Sequence, residues 1–210
     1  MKMKQKETLI PVEISARHIH LSQEDLEVLF GKGYKLKPIK NLSQAGEFAA
    51  EETVDVEVNE ITIKGIRVIG PTRIKTQAEV TLSDAYRFKA DIPVRLSGFT
   101  EKTPGFRAIG PAGVAVKKEG LIVAKRHLHI SLQEAEKLAL KNGDEASVFC
   151  GSDSEREIIF RKVEVRAKDG FKLTMHIDVD EANACGLKTC GIGKLRLKIQ
   201  TSNKIPNSES

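Results

Sequence analysis

An eight-residue segment occurs twice in this chain, and any fold it adopts must accommodate both copies. Ser15-Ala16-Arg17-His18-Ile19-His20-Leu21-Ser22 returns 109 residues later as Ala124-Lys125-Arg126-His127-Leu128-His129-Ile130-Ser131. Each copy runs into an acidic segment with apolar periodicity, Gln23 to Phe30 and Leu132 to Leu140. Ser22 with Asp25, and Ser131 with Glu134, read as helix N-caps with an acid three residues on. Gly31 and Gly33 are expected to end the first helix, and Asn142-Gly143 the second. The unit is strand, His-x-His, cap, short helix, used twice.

Around these units the pattern is mainly β. Val54 to Val58, Ile61 to Ile63, Arg67 to Ile69, Val80 to Leu82 and Val94 to Leu96 are short strand-like runs. So are Val114 to Val116, Leu121 to Ala124, Ala146 to Cys150, Ile158 to Val165, Lys172 to Ile177 and Leu195 to Ile199. Many short strands broken by Gly, Pro and Asp-Gly or Asn-Gly turns argue for barrels or sandwiches. At 210 residues the chain suffices for one large domain or two small ones. Its longest apolar runs are a few residues, too short to span a bilayer, and Leu9-Ile10-Pro11-Val12 is too short for a signal-peptide core. Cys150, Cys185 and Cys190 are odd in number and lack a C-x-x-C pairing, which speaks against a disulfide framework. A cytoplasmic protein is expected. The polar ends, 1–6 and 201–210, are expected to be disordered.

The net charge of +5 would suit nucleic acid or any polyanionic small molecule. With no Trp and few aromatics, stacking on single-stranded nucleic acid is poorly supported. A small-barrel DNA-binding protein, suggested by the high pI and by Leu140-Lys141-Asn142-Gly143-Asp144, leaves the histidines without a role; no nucleic-acid or membrane partner is expected.

Those histidines carry the chemistry. The chain has five, and four form the two His-x-His pairs. On a strand, residues i and i+2 point to the same face, so each pair can converge on one ion or on two neighbouring ions. His176, which ends Phe171-Lys172-Leu173-Thr174-Met175, is a candidate third ligand for one pair. Catalytic zinc usually has three protein ligands and an open position. Two pairs and one histidine give five ligands, so one carboxylate would complete a three-plus-three dinuclear centre. Composition alone cannot choose it among so many acids.

Five segments together resemble a known family. They are Val12-x-Ile14-Ser15-Ala16-Arg17-His18-Ile19-His20-Leu21-Ser22, Phe48-Ala49-Ala50-Glu51-Glu52-Thr53-Val54, Gly70-Pro71-Thr72-Arg73, Lys125-Arg126-His127-Leu128-His129-Ile130-Ser131 and Met175-His176-Ile177-Asp178-x-Asp180-Glu181-Ala182-Asn183. In this order they resemble the PduL-type phosphotransacylases, the phosphate propanoyltransferases and their phosphate acetyltransferase relatives, over about Pro11 to Leu197.

The resemblance implies a mainly β chain of two small β-barrel domains with short α-helices, and an active site at the domain junction. One barrel would be discontinuous, 7–16 with 125–200, and the other would span 17–124. It implies two zinc ions (or another divalent metal), one held by His18, His20 and Glu79 and the other by His127, His129 and His176. Arg73 would bind phosphate. Ser15, Ala16, Arg17, Arg67 and Asn183 would contact coenzyme A, the substrate, and Lys64 is a candidate for a further lysine contact that the family places in a longer hairpin. The implied reaction converts acyl-coenzyme A (propanoyl or acetyl) and phosphate reversibly to acyl phosphate and coenzyme A. A homodimer is expected. The short segment before Pro11 predicts that the amphipathic targeting peptide of microcompartment members is absent. The competing enzyme reading is a dinuclear thioester hydrolase, with water in place of phosphate.

Overall fold

The structure, a computed structural model, describes residues 8–151 and 154–196. The tails expected to be disordered lie outside these residues. Among the described residues the chain forms β1 (Thr8–Ile14), β2 (His18–His20), α1 (Gln23–Phe30), β3 (Pro38–Asn41), β4 (Phe48–Val58), β5 (Ile61–Gly70) and β6 (Gln77–Val80). It continues as α2 (Leu82–Phe88), β7 (Val94–Arg95), β8 (Phe106–Ile109), β9 (Val114–Lys117), β10 (Leu121–Ala124) and β11 (His127–Ile130). The remainder is α3 (Leu132–Lys137), β12 (Glu145–Cys150), β13 (Ile158–Ala167), β14 (Thr174–Ile177), α4 (Val179–Ala184) and β15 (Cys190–Arg196). No helix among them is long and apolar enough to cross a membrane.

The strands form two β units. Six close into a barrel in the order β1-β14-β11-β13-β12-β15. The other nine form one sheet, β7-β10-β6-β2-β5-β4-β8-β9 with β3 on the flank of β4, curled into a half-barrel. The mainly β architecture expected from the sequence is therefore what the chain adopts, with one refinement: one unit closes and the other curls without closing. The half-barrel's end strands β7 and β9 are two and four residues long, which leaves little open edge. β1 lies parallel to β14 and antiparallel to β15, so the start of the chain seals a barrel whose other strands all come after residue 126.

Alternation along the strands sorts each side chain to a face. In the closed barrel, Ile10, Val12, Leu128, Ile130, Met175 and Ile177 fill one core. In the half-barrel, Ile19, Val68, Ala78 and Val80 belong to the other. The residues between them in sequence, His18, His20, Glu79, His127, His129 and His176, must then point away from both cores. All six are nevertheless buried or half-buried, because each unit covers the other's outer face. Cross-unit bonds fix that contact: Gln44 Nε2 donates to the Lys172 carbonyl at 3.2 Å, the Lys172 amide donates to Gln44 Oε1 at 3.1 Å, and the Ser83 amide donates to Asp180 at 2.8 Å.

Several local expectations shift. Ser22 and Ser131 do cap α1 and α3, accepting from the Asp25 and Glu134 amides at 3.1 and 3.2 Å. α1 ends at Gly31, whose φ of 107° suits glycine. α3 stops at Leu138, short of Asn142, whose side chain instead accepts from the Ala167 amide at 3.0 Å. Val80 to Leu82 is not one strand: Thr81 and Asp84 make a capping box, and Leu82 opens α2. Ile61–Ile63 and Arg67–Ile69 are halves of one strand, bent where the register with β4 shifts and where Gly65 takes a φ of 68°.

Candidate metal centre

The duplicated segment produces a duplicated arrangement. β2 pairs parallel with β5 and antiparallel with β6, while β11 pairs parallel with β13 and antiparallel with β14. In the antiparallel pairs His18 lies opposite Glu79, and His127 lies opposite His176. Glu79 thus holds, in the first copy, the place His176 holds in the second. Each third ligand is followed by a helix with a capping box at its start, α2 and α4. The N3 acid of each helix meets the arginine that precedes its His-x-His: Arg17 Nε lies 3.0 Å from Asp84, and Arg126 Nη1 lies 2.5 Å from Glu181.

Two donor trios result, His18–His20–Glu79 and His127–His129–His176, each with its ligand atoms within 4.8 Å of one another. His18 and His20 present Nε2 to Glu79 Oε1 at 3.6 and 3.7 Å. Those separations exceed an ordinary hydrogen bond. They match the ~3.4 Å edge of a tetrahedron whose metal–ligand bonds are ~2.1 Å. His18 Nδ1–H donates to the Ala16 carbonyl at 2.8 Å and His127 Nδ1–H to the Lys125 carbonyl at 2.9 Å, the same contact in both copies. His20 Nδ1–H donates to the Ile69 carbonyl at 3.2 Å. A carbonyl can only accept, so these bonds put the proton on Nδ1 and leave Nε2 with its lone pair.

In the second trio the ring centroids lie 4.6 to 5.2 Å apart. His129 Nδ1 and His176 Nε2 are buried and have no hydrogen-bond partner among the described residues. A buried ring nitrogen without a partner is unfavourable in a protein interior, and a cation would relieve it. His176 Nε2 does lie 3.4 Å from the Glu13 carboxylate, which also accepts from Ser43 at 2.7 Å. Burial, aided by neighbouring positive charge, pushes the pKa of His20 down to about 3, of His127 to about 4 and of His129 to about 2. They are neutral at pH 7, the form a metal ion binds. Burial also opposes charge on His18 and Glu79, but their mutual attraction outweighs it. His18 is raised and Glu79 falls well below the usual carboxylate range. The two trios are close enough that the Glu79 charge is felt at His127.

Arg73 sits beside the first trio, in the link from β5 to β6. Its amide donates to the Leu21 carbonyl at 2.8 Å, and its guanidinium meets Ser97 at 2.8 Å and Glu47 at 3.0 Å. Its charge helps lower His20. Ser15 to Arg17 form the link from β1 to β2: the Ser15 amide bonds the Ile177 carbonyl beside His176, and the Ala16 carbonyl holds His18. Arg67 lies opposite His18 on β5, donating to the Ala50 and Glu51 carbonyls at 3.0 and 2.7 Å. Asn183 is exposed on α4, and Lys64 is exposed on β5. Cys150 and Cys185 are buried in the barrel and belong to neither trio. Burial pushes the Cys150 thiol up to about 12.

The family model for phosphate propanoyltransferase matches residues 11–188. The chain belongs to the phosphate propanoyltransferase family. It is 47% identical to a phosphate propanoyltransferase of Thermotoga maritima over 88% of this chain and 87% of that one. Relatives of the same name in Lachnoclostridium phytofermentans and Rhodopseudomonas palustris are each 44% identical, covering 87% and 85% of this chain and 84% and 78% of theirs.

The fold also adds residues to the site that sequence reasoning passed over. Gln77, two residues before Glu79 and so on its face, donates to Glu79 Oε1 at 2.6 Å and to Ser97 at 2.9 Å, and accepts from the Gly98 amide at 2.7 Å. Strand alternation could have found Gln77. Ser97 and Glu47 come from distant segments and only the fold brings them in.

Proposed function

We propose that this family member catalyses reversible transfer of a short acyl group, propanoyl or acetyl, between coenzyme A and phosphate at a dinuclear zinc site. The observation that carries the reading is the pair of donor trios buried face to face between the two β units, with an arginine beside one of them. His18, His20 and Glu79 would hold one ion, and His127, His129 and His176 the other. Bound there, zinc would supply Lewis-acid polarisation of the thioester carbonyl, orientation of anions and affinity for a thiolate.

The chain's own residues do the rest. Arg73 is held by Ser97 and Glu47 through two of its five N–H donors, and the others can bind phosphate with charge-assisted bonds. The phosphate oxygen attacks the thioester carbon; a C–O bond forms, the C–S bond breaks, and the proton lost by phosphate leaves with the thiol. Ser15, Ala16, Arg17, Arg67 and Asn183 would line the coenzyme A side. The Ser15 amide bonds the Ile177 carbonyl next to His176 and the Ala16 carbonyl holds His18, which supports a coenzyme A side adjoining both trios. No acyl-enzyme is required: the histidines are committed to the trios, and the buried cysteines are held as thiols.

The test is to purify the protein, count its metal ions and follow loss of acetyl- and propanoyl-coenzyme A with and without phosphate, trapping acyl phosphate as hydroxamate. Two zincs per chain and phosphate-dependent hydroxamate are expected. Thioester loss independent of phosphate would overturn the reading in favour of hydrolysis.

A further inference from the structure

Arg166 lies on β13 directly opposite His129 in the parallel β11–β13 pair. Residues in register across a pair share a face, so Arg166 leaves the barrel on the histidine side while Val163 and Val165 fill the core. Its neighbour on that face, Glu164, is already paired with Lys125 at 2.6 Å. Arg166 is half-buried, and its side chain makes no ion pair or hydrogen bond among the described residues. The charges it feels most are Glu79 and Arg73, then Glu47 and Glu164, and its own charge is felt at His127 and His129. It therefore faces the space between the trios from the barrel side, as Arg73 does from the half-barrel side.

Two guanidiniums from different β units directed at one site repel each other. Glu47 is paired with Arg73, and the Glu79 carboxylate faces His18 and His20, which leaves Arg166 as a partly desolvated cation with carboxylates nearby but none in ion-pair contact among the described residues. Such an arrangement is unfavourable in the free protein and complementary to a multiply charged anion. We infer that Arg166 is a second phosphate-binding arginine, gripping from the barrel the same phosphoryl group that Arg73 holds from the half-barrel. The inference rests on the phosphate-transfer reading above and adds a specificity element to it. An anion held by one arginine from each β unit must be bound with the units in register, and its two grips favour a tetrahedral dianion over water.

The same chemistry could serve a phosphate of coenzyme A, so the experiment separates the two. Metal-loaded wild type, Arg166→Ala, Arg166→Gln and Arg166→Lys are titrated with inorganic phosphate by calorimetry, and the Michaelis constants for phosphate and acyl-coenzyme A are measured separately. The expected result is weaker phosphate binding by about ten- to a hundredfold in the Ala and Gln variants. Their metal content should be unchanged, their Michaelis constant for acyl-coenzyme A should stay within about twofold of wild type, and Lys should restore part of the loss. Unchanged phosphate binding overturns the inference, as does a rise confined to acyl-coenzyme A. The Gln variant keeps the test alive if Ala fails to fold. If wild type shows no phosphate-dependent transfer, the functional reading fails, and the calorimetry still decides whether Arg166 binds phosphate.

Discussion

Three of the five histidines give Nδ1–H to a main-chain carbonyl, at Ala16, Ile69 and Lys125, so the backbone fixes their tautomer and their aim. Glu79 is aimed by a side chain instead, the Gln77 amide. Gln77→Leu keeps much of the volume but removes that bond and the link to Ser97. Metal affinity of the first trio should fall by about ten- to a hundredfold, with the second trio unaffected, as read by competition with a chromophoric chelator. Arg73→Ala should lower turnover at subsaturating phosphate by about tenfold or more while both metals stay bound; wild-type turnover together with wild-type phosphate affinity would remove Arg73 from the mechanism. At this scale much of the site was legible. Histidine scarcity and i, i+2 spacing marked both pairs, and ligand counting called for one carboxylate. Only the family resemblance pointed to Glu79, because a single acid among 29 Asp and Glu carries no mark of its own until register sets it opposite His18.

Among the elements, α1 shows how a short helix supports the site. Asp25, inside its first turn, accepts from Ser22, Thr76 and Lys117, the last at 2.7 Å, and so ties α1 to the entry of β6 and to β9. Thr76 in turn accepts from the Ser22 amide at 2.8 Å, beside the bridge between Ser22 and Arg73. The Arg73 link is thereby stitched to the strand that carries His18 and His20. Burial opposes the Asp25 charge, but Lys117, Thr76 and Ser22 outweigh it and the pKa is lowered. A carboxyl with a lowered folded-state pKa contributes stability above the ordinary aspartate value of about 3.9, and that stability is lost as pH falls through the folded pKa. Asp25→Asn should therefore cost about 1–3 kcal/mol at pH 7 and flatten the acid limb of a stability–pH curve below about pH 4; an equal fall in unfolding free energy with pH for the two proteins, measured by denaturant titration at each pH, would contradict this. The caps of α1 and α3 were readable from Ser-x-x-acid spacing. α2 was not, since Thr81-Leu82 also fits a strand and the decisive bond from Asp84 back to the Thr81 amide exists only once the turn has formed.

For the whole molecule, the trios lie on the outer faces of two β units, and polar outer faces hold together less well than apolar ones. Ions bound between them would link metal loading to cohesion of the units. Removing metal with a chelator should lower the melting temperature by several degrees or more, and stoichiometric zinc should restore it; a melting curve indifferent to chelator would show that the junction stands without metal. Strand composition announced a β-rich chain, and the repeat announced two similar halves. Closure of one unit and the open curl of the other were not legible, because they depend on register and stagger, which local sequence does not encode.

β1 carries one more consequence, for the order in which the chain is made. Its neighbours β14 and β15 are synthesised after every strand of the half-barrel, the last of which is complete by Ala124. On a ribosome that releases the chain from its start, the half-barrel can form early with the first trio. β1 must wait, without its barrel partners, until β14 and β15 emerge. The closed barrel and the second trio it carries come together only once β14 and β15 have emerged, so a nascent chain that has not reached His176 carries only the first donor trio.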